Sequence, residues 1–365
     1  MMHIKSITPI AITVPLKQGI KMGGVLYTAT ENLLVRVETG DGSVGWGEAS
    51  SAPTMTGETI ASMEAALNYL TPHLIGLDLS AFVENMSLID QLLYGNSSAK
   101  AAFEIASYDA VGKFQSKSMS ELLGGANRHE IPVLRLLATG TLDVDSQEAK
   151  VKLDEGFQSF KIKVGGNPVE EDVIRVEKIR EIVGNSSQLS ADANQVWNLA
   201  EAIAFVEQIG TLLDFVEQPV MGNDLEGMTK IAKASKTPIG ADEGLHSIED
   251  IVLHKERGAA EGGSLKMIKL GGVTKAFEAA ELSKKLGMKV NLAGKVCETS
   301  VSSAAVTHLA AAIPQIEWGL SLTNQYAATD IVKNPMKISN GMITVPEGYG
   351  LGIEVDEEAV SRLKK

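Results

Sequence analysis

The chain has 365 residues, 44% of them hydrophobic, enough for a full-sized core in one large domain or two ordinary ones. A formal net charge of −13 leaves no basic stripe to neutralise phosphates; it argues against nucleic-acid and anionic-membrane partners and suits cation binding. The single cysteine, Cys297, excludes an internal disulfide, no run of about 18 apolar residues exists to span a bilayer, and the start lacks an apolar signal core, so a cytoplasmic protein is expected.

In chain order, residues 3–15 and 32–39 read as strands, and Thr39-Gly40-Asp41-Gly42 as a hairpin turn into a third strand, Ser43–Glu48. Between the first two strands, residues 17–25 hold glycines and polar residues, which predicts a mobile loop able to act as a lid. Helical patterns follow over about 58–76, 80–94 and 97–116, the last rich in small residues and suited to close packing. This is an α+β unit of about 125 residues.

From Ile131 the pattern alternates strictly between strand and helix, with strands expected at 131–136, 158–164, 188–192, 213–217, 237–242, 263–268, 288–293 and 315–319. The fold class is α/β: a TIM-like (β/α)7β barrel with an α+β capping domain. The expected division is a cap over 1–125, a barrel over 126–320, and a segment over 321–365 that returns to the cap.

Within the barrel pattern, Ser159-Phe160-Lys161-Ile162-Lys163-Val164 alternates so that Lys161 and Lys163 share one face of a strand. Asp192, Glu217, Asp242 and Lys266 then end successive apolar runs at steps of 25, 25 and 24 residues, the period of a βα unit. Barrel active sites lie at the carboxyl ends of the strands, so all these charges should point into one mouth. Three carboxylates converging there would repel one another unless a cation joined them. Oxygen-only ligands favour a hard ion, and Mg²⁺ fits better than Zn²⁺. The competing reading is that each acid caps a helix or pairs with a lysine. Lys163 and Lys266 come from the second and sixth strands and face each other across an eight-stranded mouth, as proton transfer on two faces of one carbon requires. Lys161 and a bound metal would favour the neutral, basic form of Lys163.

These residues resemble the muconate lactonizing enzyme subgroup of the enolase superfamily. The resemblance lies in Lys161-x-Lys163, Asp192-x-Asn194, Glu217-Gln218-Pro219, Ala241-Asp242-Glu243, Lys266, Lys269-x-Gly271-Gly272 and Glu298, with Trp46-Gly47-Glu48 and Gly350-Leu351-Gly352 outside the barrel. Sites of this superfamily use a Lys or His base with Mg²⁺ stabilising an enediolate. The resemblance implies Asp192, Glu217 and Asp242 as Mg²⁺ ligands, Lys163 and Lys266 as the proton-transferring pair, and Lys161 as a stabiliser of the developing charge. It implies Asn194 and Glu243 as supporting groups around the ligands.

Three departures narrow the substrate. Trp318-Gly319 is followed by Leu320-Ser321-Leu322, without the glutamate of muconate cycloisomerases, and residues 320–325 lack the Asp-x-Asp pair of dipeptide epimerases. Lys295 stands where relatives often carry methionine, either as a solvated rim charge or as a partner for the distal part of the substrate. The loop 51–57 and the segment 295–299 are similar to proteins acting on hydroxyproline-like amino acids, including cis-3-hydroxyproline dehydratases. The reading is therefore a Mg²⁺ enzyme that forms an enolate from a small-molecule carboxylate: a dehydratase or a racemase/epimerase acting on a proline-type or N-substituted amino acid. Lys295, Glu298, Trp318 and Thr54 are expected at the substrate, and a homo-oligomer is expected. The alternatives are a muconate-type cycloisomerase, a Schiff-base barrel lyase, and a binding relative without turnover.

Overall fold

Three antiparallel strands open the computed structural model, which describes residues 2–22 and 25–365: β1 (Ile4–Met22), β2 (Val25–Thr39) and β3 (Val44–Ser50), in that spatial order. Alternation along β2 sends Leu33, Val35 and Val37 into one apolar cluster, while Leu34 joins a second that runs into the barrel. Of the loop expected over 17–25, residues 17–22 and 25 are strand instead, with Ile20 opposite Tyr27 and Met22 opposite Val25. The β-branched and aromatic residues of 26–30 favour pairing, and the register shifts between Pro15 and Ile20. Gly23 and Gly24, the rest of that expectation, lie outside the described residues.

Helices α1 (Ile60–Leu74), α2 (Phe82–Leu92) and α3 (Ser97–Gln115) pack on this sheet, followed by the single turn α4 (Met119–Leu122). The Thr59 side chain caps α1 by accepting from the Ser62 N–H, and Ser62 returns the bond. Ala102, Ala106 and Ala110 form an i, i+4 row along α3, and β3 meets that row with glycines. A Cβ at Gly45 would lie 2.0 Å from the Ala106 carbonyl oxygen, and one at Gly47 would lie 2.0 Å from that of Ala102. Small residues on both elements let backbone approach backbone.

The strand expected at 131–136 is two strands. β4 (Glu130–Pro132) ends at a proline that has no N–H for a ladder, and β5 (Arg135–Leu137) begins the barrel. The remaining barrel strands and helices alternate: α5 (Leu142–Asp154), β6 (Ser159–Lys163), α6 (Val169–Val183), β7 (Gln188–Asp192), α7 (Leu199–Ile209) and β8 (Phe215–Glu217). Then come α8 (Leu225–Ala234), β9 (Ile239–Ala241), α9 (Ile248–Glu256), β10 (Gly262–Leu265), α10 (Met267–Leu270), α11 (Val273–Lys285), β11 (Lys289–Ala293), α12 (Ser300–Ala312) and β12 (Leu320–Ser321).

β5 to β12 form one eight-stranded sheet in sequence order with parallel pairing, and the ring closes where the Leu134 N–H donates to the Leu320 carbonyl at 2.8 Å. The sixth strand stops at Leu265 because Lys266 caps α10. The last forms at 320–321 and not 315–319, since Gly319 sits in the left-handed region at φ 85°.

The tail supplies β13 (Met342–Thr344), which pairs with β4, and α13 (Glu357–Leu363). It then meets the N-terminal sheet, where the Lys365 N–H donates to the Ala11 carbonyl at 3.0 Å. No helix among the described residues is long and apolar enough to cross a membrane.

Candidate active site

In-register pairing sets Lys163 opposite Asp192, and Asp192 opposite Glu217, so β6, β7 and β8 carry one row of charged side chains across their carboxyl ends. Asp242 follows one residue beyond β9. Each carboxylate meets a lysine. Lys163 Nζ donates to Asp192 Oδ2 at 2.5 Å and to Asn194 Oδ1, Lys161 donates to Glu217, and Lys266 donates to Asp242. Residues not singled out in the sequence complete the row. Ser264 Oγ on β10 lies 2.5 Å from Glu217 Oε1 and 2.9 Å from Asn291 Oδ1 on β11. Both belong to the inward-facing alternation of their strands, which is the one signal that could have found them.

The backbone after these strands is unusual. Asn194, Gln195 and Gln218 adopt φ of 44°, 69° and 37°, a region costly for residues with a Cβ and common at functional sites. The turn at Gln218 aims its side-chain oxygen at the backbone beyond β9, where it accepts from Asp242 N at 2.8 Å and from Gly244 N at 3.1 Å. Gln218 thereby fixes the segment that carries Asp242 and Glu243.

Asp242 is the most heavily compensated acid. Lys269, fully buried, donates to its Oδ1 at 2.7 Å and to the Ser264 carbonyl at 2.9 Å. Burial alone would raise the Asp242 carboxyl, but Lys266 and Lys269 outweigh it and hold the group far below the usual range. Burial likewise favours neutral Lys266, yet Asp242, Glu243 and Glu217 hold it above the ordinary lysine range. Glu243 behaves oppositely: burial, then Asp242 and Asp192, push it up to about 7. Its Oε1 accepts from Asn194 Nδ2 at 3.0 Å, while Oε2 is buried without a partner.

Lys161, Lys163, Asp192, Asn194, Glu217, Lys266 and Lys295 line one cavity, together with Met55 of the cap and the apolar side chains of Leu134, Leu136, Val296, Leu322 and Tyr326. Lys295 is half-buried and faces this cavity. Three other expected substrate contacts are not brought there. Thr54 is exposed, and its neighbour Met55 takes the place at the cavity. Trp318 is buried inside the barrel, stacked on Phe215 with ring centroids 4.1 Å apart, in the space left by Gly240 and Gly262. Glu298 is turned away: it accepts from Ser302 Oγ at 2.7 Å, Lys295 N at 3.1 Å and Ser50 N at 3.4 Å, tying barrel to cap.

Residues 8–124 match the mandelate racemase/muconate lactonizing enzyme N-terminal domain, and residues 145–359 match the enolase C-terminal domain-like family. The chain belongs to the enolase superfamily, in its muconate lactonizing enzyme subgroup. It is 33% identical over 365 residues to an N-succinyl-L-Arg/Lys racemase of Bacillus cereus, covering 99% of this chain and 98% of that relative. It is 34% identical over 361 residues to an L-Ala-D/L-Glu epimerase of Clostridium acetobutylicum, covering 97% and 99%. The solved muconate lactonizing enzyme from Pseudomonas fluorescens, complexed with muconolactone, has a TM-score of 0.96 at 29% identity, covering both chains fully. The protein is an enzyme of this enolase superfamily, whose relatives here are racemases, epimerases and cycloisomerases.

For an enolase-superfamily site, the donor set is of the right kind: three carboxylates on neighbouring strand ends, and a fourth, Glu243, with an unpartnered buried oxygen. Their arrangement differs from the expected ligand cage. Among the described residues no three carboxylate, histidine or cysteine side chains converge as a preformed cluster, because each acid is turned towards an ammonium group. The lysines supply the positive charge that buried carboxylates require. A divalent cation would supply the same charge, so the residues fit Mg²⁺ in chemistry and strand placement.

Proposed function

We propose that the protein is a Mg²⁺-dependent racemase or epimerase that moves the proton α to the carboxylate of an N-substituted amino acid, proline-type rings included. The observation that carries this reading is the pair Lys163 and Lys266, which line one cavity from the second and sixth of eight barrel strands. Asp192, Glu217 and Asp242 would hold the metal. When bound, Mg²⁺ supplies positive charge that lowers the cost of the anion formed as the α-proton leaves.

The chain's own groups do the rest. One of the two lysines, in its neutral amine form, accepts the Cα proton on its Nζ and becomes an ammonium, and the other, as an ammonium, gives a proton to the opposite face and becomes an amine, inverting the centre. Lys161, beside Glu217 at the cavity floor, adds a fixed cation near the developing negative charge. Asn194 holds Lys163 Nζ on one side and Glu243 on the other, which fixes the direction of the ammonium group. The apolar walls exclude water from the reacting carbon. With a β-hydroxyl on the substrate, the second lysine would protonate the departing oxygen, and the same site would act as a dehydratase, cis-3-hydroxyproline being the expected substrate of that kind.

The test is Cα proton exchange in ²H₂O, followed by ¹H NMR over a library of N-acyl amino acids, hydroxyprolines and muconate. Exchange with inversion and no loss of water is the expected outcome; loss of water would make the enzyme a dehydratase. Exchange that survives in the Lys163→Ala, Lys266→Ala double variant would sink the two-lysine reading.

A further inference from the structure

Three of the four ammonium groups that line the cavity are matched one to one with a carboxylate: Lys161 with Glu217, Lys163 with Asp192, and Lys266 with Asp242. The fourth, Lys295, is different. Among the described residues no carboxylate forms an ion pair with its Nζ, and no acceptor forms a hydrogen bond with it. Its ammonium lies over the ring of Tyr27, 5.6 Å from the centroid, an attraction that leaves three N–H donors unspent. Glu298, three residues along the chain, is the obvious partner by sequence, but it is committed to Ser302, Ser50 and the Lys295 backbone.

A cation without an ion pair in a half-buried site is costly, and the nearest lysines add to that cost. Burial, with the ammonium groups of Lys266 and Lys163, pushes Lys295 down to about 8, so at neutral pH most of it remains charged. Glu243 and Glu298 attract it from further off, but Glu243 is bonded to Asn194 and Glu298 to Ser302, so among the described residues neither takes up its N–H donors.

We infer that Lys295 binds a second carboxylate of the substrate, so that the substrate is a dianion: an N-substituted amino acid whose α-carboxylate lies at the lysine pair and whose other carboxylate reaches Lys295. This rests on the proton-transfer reading above and names its substrate class. Met55, Val296 and Leu322 line the same cavity and suit an aliphatic link between the two anions. The second carboxylate sits at the end of an acyl group or on the amino-acid side chain. Both sources present the same chemistry to Lys295.

The experiment compares N-succinyl-alanine with N-succinamyl-alanine, which replaces the distal carboxylate by a neutral amide of equal length, in the Mg²⁺-supplemented enzyme. N-acetyl-glutamate and N-acetyl-glutamine form the matching side-chain pair. The readout is kcat/KM for Cα exchange by ¹H NMR. In at least one pair the carboxylate form should be favoured on the order of 10- to 100-fold, mainly through KM, as loss of a charge-assisted bond implies. The favoured pair identifies the source.

Lys295→Met, which keeps an unbranched apolar stem, should bring that ratio close to one, and Lys295→Arg should preserve most of it; unchanged melting of both variants excludes misfolding as the cause. Equal rates within both pairs, or discrimination that survives in Lys295→Met, would overturn the assignment of Lys295. Exchange confined to monoanionic substrates would also overturn it while leaving the two-lysine reading intact. Absence of Cα exchange across the whole library would remove the proton-transfer reading, and this assignment with it.

Discussion

Lys163 and Lys266 reach one cavity from strands four places apart in an eight-stranded ring, and each ammonium group is held by a different carboxylate, Asp192 and Asp242. Each lysine should therefore serve one face of the substrate carbon. In Lys163→Ala, Cα exchange should persist with one enantiomer and be lost with the other, and Lys266→Ala should show the opposite preference. Racemisation should fall in both by about 10²–10⁴-fold. Exchange of both enantiomers at equal rates in either variant would mean that a single group works on both faces.

Metal loading is separable from turnover. If Mg²⁺ binds the native protein and not the unfolded chain, melting should rise with added Mg²⁺, by about 2.7 kcal/mol of stability at a hundred times Kd. Asp192→Asn and Glu217→Gln should lose the Mg²⁺-dependent part of that rise, whatever their starting stability. Calorimetric titration with Mg²⁺ alone, after chelation, checks the same point without substrate.

Two buried acids outside the proposed chemistry set a pH dependence. Burial pushes Glu104 up to about 7, although it accepts from Val273 N at 2.5 Å and from the Thr274 backbone. Burial and the neighbouring Glu48 push Glu298 up to about 7 as well, from an ordinary value of 4.5. Between about pH 4.5 and 7 the folded protein keeps protons that the unfolded chain has released. Stability contributed by these groups is thus present below that window and lost as pH rises through it, by up to about 3 kcal/mol each. Glu298→Gln should match the parent near pH 5 and exceed it near pH 8, as urea midpoints at the two values would reveal. A gap that is constant across pH would refute this.

The contact between β3 and α3 leaves no room for a methyl group. Gly47→Ala places a Cβ 2.0 Å from the Ala102 carbonyl oxygen and 2.6 Å from Ala106 N, backbone atoms that cannot turn aside. The expected cost is about 3 kcal/mol, at the upper end of overpacking effects. Gly40→Ala, whose Cβ would find its nearest neighbour at 3.9 Å, is the control and should cost under about 1 kcal/mol. Chemical denaturation of the two variants side by side decides it.

Much of this molecule was legible along the chain because β-strands and barrel units repeat at fixed intervals. The alternation of Lys161 and Lys163, and the 25-residue steps to Asp192, Glu217 and Asp242, follow from periods of two residues and of one βα unit, and both are local properties. The strand expected at 131–136 and the loop expected at 17–25 failed for the opposite reason. Which residues pair there depends on partners at 342–344 and 25–30, and no local pattern states the partner.

The fates of the substrate-facing candidates were likewise decided in three dimensions. Trp318, Glu298 and Thr54 carry suitable chemistry, but neighbours direct them elsewhere: Phe215 and two glycines take Trp318, Ser302 and Ser50 take Glu298, and solvent takes Thr54. Chain order alone thus determined the barrel and the row of charged residues at its strand ends, since regular geometry converts spacing into position. Only folding decided which of the cavity's ammonium groups meet a carboxylate and that, among the described residues, Lys295 there meets none, because charge pairing depends on distances between strands far apart in sequence.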